Sequence, residues 1–577
     1  MLTRKHIYFI LIALCALVYA NSIHGEFILV DDIPAIVRNP RIARPLYYYW
    51  AFPQELLNSL SYRIARFNVV PYHICGIVLH AINTILVFFL LRLFFKEKAS
   101  FIGACLFAVH PIHTEAVSWI SGRSHVVIGF FVLVTYLLYF TATQQEKLKR
   151  PLYLMSVLIF TYYINQNYSF YTFFPFLLIF SDIAFKRWRN NWKFWLPFLL
   201  ILAFRIILLK EVVVDKVITP PLDGWGQETM RNPWFYFVYA TYSYLGLLLW
   251  PARLTFYHEP LMFHPLVMRL GMVVVGIVIC FLPYIYKKAK SIFFGLGMFA
   301  LFLVPSYSPF PIAPTVSERY AYLPSILLSI LASFLYERCS VRSNGIHRKG
   351  IILLFIFVIA AYGARTVARN EDWRDNRRLW SATLEVSPKS PRSHSNMGVV
   401  YLEDESFEKA IEEFNAAINI SPNYYASYNN LGALYKKIGK KEKTLSVFKM
   451  AVERNPNCAE ARYNLGVAYG DIWHVEAAIN SYKKTLEINP YYVKALNNLG
   501  NSYLSLSRYQ DAIMYYRKAI AINPEYSEAY FNLGHLYVNK GENEQAKENL
   551  LKARELFIQQ RKTHMLKRID EYLRKME

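Results

Sequence analysis

The sequence predicts an all-α protein in which a polytopic membrane domain precedes a helical-repeat solenoid. Five prolines recur at a spacing of 34 residues near the C-terminus: Pro388, Pro422, Pro456, Pro490 and Pro524. The residues before them contain apolar runs of a length that crosses a bilayer. Hydrophobic residues make up 55% of the chain and aromatic residues 17%, a composition typical of membrane proteins with interfacial aromatic belts.

Eleven apolar runs in residues 1–367 are interpreted as transmembrane helices. They cover approximately 7–20, 69–91, 99–120, 124–142, 152–166, 168–185, 194–209, 267–286, 291–305, 321–337 and 351–367. The first run lacks a convincing cleavage site after Ala20, so we interpret it as an uncleaved helix and not as a signal peptide. Residues 235–250 are predicted not to span, because the basic loops then alternate correctly.

The same alternation places the N-terminus inside and the C-terminus outside. We expect a bacterial inner membrane with periplasmic repeats or, alternatively, an endoplasmic reticulum membrane with luminal repeats. The net charge of +23 belongs mainly to the membrane part: residues 388–577 hold 27 Lys and Arg against 22 Asp and Glu, whereas residues 1–387 hold 37 against 19. The basicity therefore indicates topology and membrane-lipid contact, not nucleic-acid binding.

The 34-residue period in 389–556 predicts five tetratricopeptide repeats, each a pair of helices. We expect 368–388 to be a connector and 557–577 a capping helix. One asparagine recurs in a single register, at Asn396, Asn430, Asn464, Asn498 and Asn532. Its amide can both donate to and accept from a peptide backbone, so the column predicts an acceptor-peptide contact, although consensus packing explains it equally well.

An acidic pair, Asp31-Asp32, follows the first predicted span. A carboxylate beside a second one, and partly desolvated, has a raised proton affinity and can act as a base. The pair is therefore the best catalytic candidate, against the alternative of a solvated loop or a helix cap.

Two further constellations lie at predicted outer loops. The first contains His110, His113, Glu115 and Arg123. No thiolate or further nearby histidine completes a metal-ligand set, so we predict no metal and expect contact with a sugar or phosphate. The second is Glu318-Arg319-Tyr320. An arginine entering a membrane is expensive unless it meets an anion, and that anion is either Glu318 or a ligand.

These motifs resemble the TMTC-type O-mannosyltransferases, which are multispanning GT-C-fold glycosyltransferases with tetratricopeptide tails. The resemblance is carried by Val30-Asp31-Asp32, by Ala108 to Ser118 with Gly122-Arg123, by Glu318 to Pro324, and by the junction Arg369 to Trp373. It runs through nearly the whole chain in the same order, although residues 124–300 match mainly by hydropathy. The five-repeat array is closer to the shorter bacterial relatives.

The resemblance implies a GT-C-like fold for residues 1–367 and a polyprenyl-phosphate-linked hexose, mannose, as donor. It implies Ser and Thr hydroxyls of exported proteins as acceptors, and it makes one residue of the Asp31-Asp32 pair the base. The sequence does not settle which of the two it is; we expect Asp31 to be the base and Asp32 to orient it. A phosphate leaving group needs cations more than an acid, and Arg123, Arg319, His110 and His113 are the expected donors of positive charge. No cofactor is expected.

Two alternatives remain open. The same chemistry could act on a glycan or lipid acceptor while the repeats recruit an assembly partner. The chain could instead be a non-catalytic, membrane-anchored scaffold. The acidic pair separates these classes, because a scaffold has no need of carboxylates, histidines and an arginine that converge on one outer cavity.

Overall fold

Two units, meeting at Pro388 and Lys389, make up the chain in the computed structural model. The first is called the membrane unit and the second the repeat unit. The structure describes residues 3–28, 32, 36, 53–144, 149–164, 172–208, 233–252, 254–256, 265–304, 316–342, 345–560 and 562–576. Asp31 lies outside these residues. All regular secondary structure among them is helical, as predicted.

The membrane unit contains fifteen helices within the described ranges. They are α1 (Arg4–Tyr19), α2 (Pro53–Ala65), α3 (Val70–Arg92), α4 (Glu97–Val109), α5 (Thr114–Ser118), α6 (Ser124–Ala142), α7 (Lys149–Ile164), α8 (Phe174–Ala184), α9 (Trp188–Leu208), α10 (Pro233–Leu249), α11 (Pro265–Lys288), α12 (Lys290–Phe302), α13 (Ile326–Arg342), α14 (Gly345–Asp372) and α15 (Asn376–Val386).

Five helical segments of the described residues are long and apolar enough to cross a membrane: Arg4–His24, Val70–Arg92, Ser121–Ala142, Gly271–Lys288 and Ile346–Asp372. Shorter apolar helices cover Phe174–Ala184, Phe237–Leu249 and Lys290–Phe302. The predicted count of eleven spans is therefore not confirmed. The run predicted at 99–120 is not one helix, because α4 ends at Val109, immediately before Pro111.

Helix α3 lies at the centre of the unit and packs against α1, α4 and α6. Its inner face carries polar side chains in an apolar surrounding. The Nδ1 atom of His80 lies 2.8 Å from the hydroxyl of Tyr322, and the amide of Asn83 donates to the same hydroxyl at 3.0 Å. Buried polar groups need partners where water is absent, so this network explains how these residues are tolerated in apolar helices.

Helices α4 and α13 approach each other at Gly103. A Cβ atom at this position would lie 2.3 Å from Ser333 Oγ and 2.5 Å from the carbonyl oxygen of Ser329. Small residues at helix crossings let backbones come close inside membranes. The contact fixes α4 against α13. It thereby also positions the chain segments next to the ends of these two helices.

The predicted connector packs on the membrane unit through aromatic rings. The Trp373 ring stacks on Trp119 at 5.9 Å, and Phe256 lies edge-on to Trp373 and to Trp380, at 5.5 and 5.4 Å. Both connector tryptophans are buried. Burial of such large rings is a major source of packing energy.

The repeat unit consists of five helix pairs and a terminal helix. The pairs are α16 (Pro391–Glu403) with α17 (Phe407–Ile420), α18 (Tyr425–Lys437) with α19 (Lys441–Arg454), α20 (Ala459–Asp471) with α21 (Val475–Ile488), α22 (Val493–Ser505) with α23 (Tyr509–Ile522), and α24 (Ser527–Lys540) with α25 (Asn543–Gln559). The predicted cap at 557–577 is the shorter helix α26 (Leu566–Lys575), whereas residues 557–559 belong to α25.

A glycine in the first helix of each repeat receives a large side chain from the second helix. At Gly466, a Cβ atom would lie 2.6 Å from the ring of Tyr482. Gly534 faces Leu550 in the same way, which is why leucine can replace the aromatic residue in the fifth repeat. The recurrent Asn-Leu-Gly sequence is thus explained partly by helix packing within each repeat.

We expect Gly466→Ala to destabilise the repeat unit by about 1–3 kcal/mol, because overpacking forces the Tyr482 ring to move. Gly470→Ala is the matched control in the same helix, since a Cβ atom there meets nothing within 4 Å. It should be neutral or stabilising, because alanine favours helix more than glycine does. Hydrogen exchange of α20 and α21 in the full chain measures both; equal protection in the two variants would contradict the packing argument.

Candidate functional site

The residues between α4 and α6, called the 110–123 segment, form a chain of short helical turns. A 3₁₀ turn covers Pro111–His113, α5 follows, and a second 3₁₀ turn covers Ser121–Arg123. Proline fixes its own backbone angle and lacks an N–H donor, so α4 ends here. The Nδ1 atom of His110 caps the turn by accepting from the backbone N–H of Ile112 at 3.1 Å. The segment is largely buried in the membrane unit.

Glu115 is fully buried and binds the chain around Arg319. Its carboxylate accepts from the Arg319 guanidinium, from the Arg319 backbone N–H at 2.8 Å, and from the Ser317 hydroxyl at 2.9 and 3.1 Å. The partner of Arg319 is therefore Glu115 and not its sequence neighbour Glu318. The Glu115–Arg319 pair brings together the two groups of candidate residues at 110–123 and 318–320, which are far apart in the sequence.

The guanidinium of Arg319 is held between the pair and aromatic rings. It lies 5.3 Å from the Trp119 ring centre and 5.0 Å from that of Tyr320, and the side chain stays 16% exposed. Burial raises the pKa of Glu115, against the opposing effect of Arg319. Burial would lower the pKa of Arg319, but the Glu115 carboxylate and the Tyr320 side chain together outweigh this effect and raise that pKa. Arg319 is thus a permanent cation that reaches the surface.

Asp32 is buried and tied to the 110–123 segment. One carboxylate oxygen accepts from the Ser121 backbone N–H at 2.8 Å and from the Ser121 hydroxyl; the other accepts from the Ile28 N–H at 3.0 Å. Three donors favour the ionised form of a carboxylate. This anchoring suits the orienting role predicted for Asp32.

Arg123 is fully buried, and its guanidinium holds two other helices. It donates to the backbone oxygen of Tyr72 at 2.7 Å and to the side-chain oxygen of Asn58. These contacts link the 110–123 segment to α2 and α3. They favour a structural role for Arg123, whereas the predicted phosphate contact stays a prediction.

His110 and His113 also make internal contacts. His110 accepts at Nδ1 from Ile112, so its Nε2–H donates to the Leu248 carbonyl at 3.0 Å. His113 Nε2 lies 2.8 Å from the Ser325 hydroxyl. Burial lowers the pKa of His110 to about 4 and lowers that of His113 well below its usual value. Both rings are neutral near pH 7, which removes the positive charge that the predicted phosphate contact assumed.

Glu318 belongs to a second buried cluster that the sequence does not reveal. It pairs with Arg369 of α14 at 3.3 Å, and Arg369 also pairs with Asp372 at 2.8 Å. The adjacent Asn370 accepts from Ser118 Oγ at 2.8 Å and donates to the Val18 carbonyl at 2.9 Å. The sequence identifies Glu318 and the junction Arg369 to Trp373 as separate motifs, and it does not reveal that they pair.

In the part of the chain that the structure describes, no group of three or more His, Cys, Asp or Glu side chains could hold a metal ion. The Glu115 carboxylate already accepts from Arg319, and the His110 ring is already hydrogen-bonded to backbone groups. The chemistry that these residues can supply is therefore that of carboxylates and a guanidinium.

The recurrent asparagines of the repeat unit lie in one column and are half-buried. Four of their amides donate to the preceding repeat. Asn430 donates to Ser395, Asn464 to Tyr425 and Asn429, Asn498 to Tyr463, and Asn532 to Asn497. The column therefore stabilises contacts between repeats, and peptide binding by these residues stays a prediction.

Family models of tetratricopeptide repeats match the repeat unit. One described as "Tetratricopeptide repeat" matches residues 425–458 and 459–492, and a second matches 493–526. A crystal structure of MamA is 30% identical and covers 29% of this chain and 97% of its own, with a TM-score of 0.27. The predicted repeats are confirmed.

Curated relatives match about 70% of the chain. The protein O-mannosyl-transferase TMTC3 of Homo sapiens is 25% identical over 463 residues, which are 69% of this chain and 49% of the relative. The protein O-mannosyl-transferase F38B6.6 of Caenorhabditis elegans is 25% identical over 437 residues, 70% of this chain and 61% of the relative. The chain is similar to the TMTC-type proteins.

This similarity confirms the resemblance predicted from the motifs. The chain spans about half the length of the human TMTC-type relative. The bacterial origin expected from the short array stays a prediction. Three contacts connect the four motifs of the TMTC-type resemblance within the membrane unit: Asp32 binds Ser121, Glu115 binds Arg319, and Ser118 binds Asn370.

We expect Glu115→Gln to destabilise the membrane unit by about 3–5 kcal/mol, because it leaves the mostly buried Arg319 without its anion. The double variant Glu115→Gln, Arg319→Gln should recover part of this loss, since it removes both charges. Thermal denaturation of the full chain in detergent measures the effect.

Glu97→Gln is the control for this prediction, because Glu97 pairs with Arg4 at 3.8 Å on an exposed surface. Exposed pairs contribute little to stability. If the double variant were less stable than Glu115→Gln, the salt bridge would not be the cause of the loss.

Proposed function

We propose that the chain is an integral-membrane glycosyltransferase that moves mannose from a polyprenyl-phosphate donor to Ser and Thr hydroxyls of exported proteins. The single observation that supports this most is the anchoring of Asp32, which is held by Ser121 on the segment that also carries Glu115 of the Glu115–Arg319 salt bridge. The names of the TMTC-type relatives support the sugar and the protein acceptor.

In the proposed reaction the acceptor hydroxyl loses its proton to a carboxylate as its oxygen attacks the anomeric carbon. Asp31 is proposed as the base and Asp32 as its positioning residue. The bond from the anomeric carbon to the phosphate oxygen breaks, and the phosphate leaves with the electron pair. A single displacement of this kind inverts the anomeric centre.

Arg319 is the proposed partner of the departing phosphate. A guanidinium presents five N–H donors, and the contact with Glu115 uses only part of this capacity. Preorganised positive charge stabilises the charge that develops in the transition state. Hydrogen bonds within the protein already occupy Arg123, His110 and His113. Their proposed role is therefore to shape the site.

The second candidate function is the same transfer to a glycan or lipid acceptor. It is favoured by the asparagine column, whose amides already donate within the array. A repeat surface with such internal bonds could recruit an assembly partner in place of the acceptor. A comparison of intact masses of exported proteins, with and without the gene, separates the two functions.

We expect Asp31→Asn to leave the protein folded but to lower transfer from radiolabelled polyprenyl-phosphate mannose by a factor of about 10² to 10⁴, the range typical of a general base. Asp32→Asn should lower transfer as well, and also stability, because it places an amide against the Ser121 and Ile28 donors.

The control for both variants is Glu97→Gln, whose carboxylate lies in the exposed first turn of α4. It should retain full transfer. Wild-type transfer by folded Asp31→Asn would exclude Asp31 as the base.

We expect the repeat unit to lie on the outer side of the membrane. Alkaline phosphatase fused after Lys389 should therefore be active, and a cytoplasmic reporter at the same position should be inactive. The reverse pattern would overturn both the orientation and an outward-facing site.

A further inference from the structure

A cavity of about 730 Å³ opens at the end of the membrane unit opposite to the candidate site. Helix α3 begins near Tyr72, which contacts Arg123, and ends beside Leu93, which lines the cavity. Helix α13 likewise begins near Ser325, which contacts His113, and reaches the cavity at Phe334. The cavity is therefore separated from the candidate site by the length of α3 and by about two turns of α13.

Four cations line this cavity: Lys287, Lys288, Lys290 and Arg338. Lys287, Lys288 and Lys290 come from one basic stretch of sequence where α11 ends and α12 begins, and the fold brings Arg338 of α13 to the same cavity. Within the described part of the chain, no carboxylate forms an ion pair with any of the four. Such a concentration of unneutralised positive charge attracts an anion.

Glu337 is the one acidic residue among those that line the cavity. Its carboxylate accepts from the backbone N–H of Lys96 at 3.0 Å, at the start of α4. It thus serves as an acceptor at a helix N-terminus, where negative charge is favourable. The cavity keeps an excess of positive charge even after this residue is counted.

The rest of the wall is apolar. Phe94, Phe95, Phe185 and Phe334 line the cavity together with Leu93, and the Arg338 guanidinium lies 5.3 Å from the Phe334 ring centre. Cations next to aromatic and aliphatic surface match a molecule with an anionic phosphate and a hydrocarbon part. Basic pockets between membrane helices bind anionic lipid headgroups in this way.

We propose that this cavity binds the phosphate headgroup of an anionic phospholipid, with the acyl chains against the phenylalanine wall. The volume lies in the range of pockets that hold small ligands. The proposal does not depend on the glycosyltransferase reaction, because the cavity is remote from Asp32 and Arg319.

The test uses the full chain and native mass spectrometry with added phosphatidylglycerol or phosphatidylcholine. The wild type should retain phosphatidylglycerol preferentially. Replacing all four cavity cations by Gln should weaken that binding about tenfold or more, because each surface cation contributes to headgroup attraction. Lys288→Gln alone should give a smaller loss. This single variant keeps the test decisive if the quadruple variant does not fold.

The matched control replaces four exposed cations that do not line the cavity: Arg189, Lys193, Arg348 and Lys349. It removes the same charge and should leave phosphatidylglycerol binding unchanged. An equal loss in both quadruple variants, or equal retention of the two lipids, would overturn the proposal. Displacement of phosphatidylglycerol by millimolar inorganic phosphate would assign the cavity to a free phosphate and likewise overturn it.

Discussion

The salt bridge between Glu115 and Arg319 is the interaction on which the candidate site depends. A carboxylate with no exposed surface is stable as an anion only if a cation and hydrogen-bond donors replace water. Arg319 and Ser317 supply them from a distant part of the chain. The pair therefore fixes two chain segments about 200 residues apart in one geometry, and it leaves a cation at the edge of the buried region.

Other buried polar contacts extend from this pair in the same manner. Arg123 connects the 110–123 segment to α2 and α3, Asn370 connects it to α1 and α14, and Asp32 holds the chain after the first helix. Each contact satisfies a group that would otherwise be costly in an apolar environment. The site is thus rigid before any ligand arrives, which is what a positioned base and a preorganised cation require.

Sequence patterns predicted the repeats and the all-α fold because both depend on local periodicity. The 34-residue period fixes the helix pairs, and the recurrent glycines reflect contacts within one repeat. The sequence also identified Asp32, Glu115 and Arg319 as site candidates. It did not reveal which carboxylate pairs with which arginine. Glu115 and Glu318 are equally plausible partners of Arg319 until the positions of the helices are known.

The lack of three-dimensional positions also explains where the sequence predictions for the membrane unit differ from the structure. Hydropathy alone joins residues 99–120 into one span, whereas the proline at position 111 marks the break that the structure has after Val109. Hydropathy also cannot distinguish a histidine that faces a ligand from one that donates a hydrogen bond to a backbone carbonyl. His110 is of the second kind, because it donates to the carbonyl of Leu248. The junction motif contains Arg369, but its pairing with Glu318 was not predicted, because the two residues are distant in sequence.

The length of α4 has a consequence for how a lipid-borne substrate would meet this region. Its 13 residues rise about 20 Å, whereas the hydrocarbon core of a bilayer is about 30 Å thick. Such a hydrophobic mismatch is relieved by local thinning of the bilayer. Water and lipid headgroups would then descend towards the turn at Pro111, so a sugar attached to a membrane-embedded phosphate need not be lifted out of its leaflet.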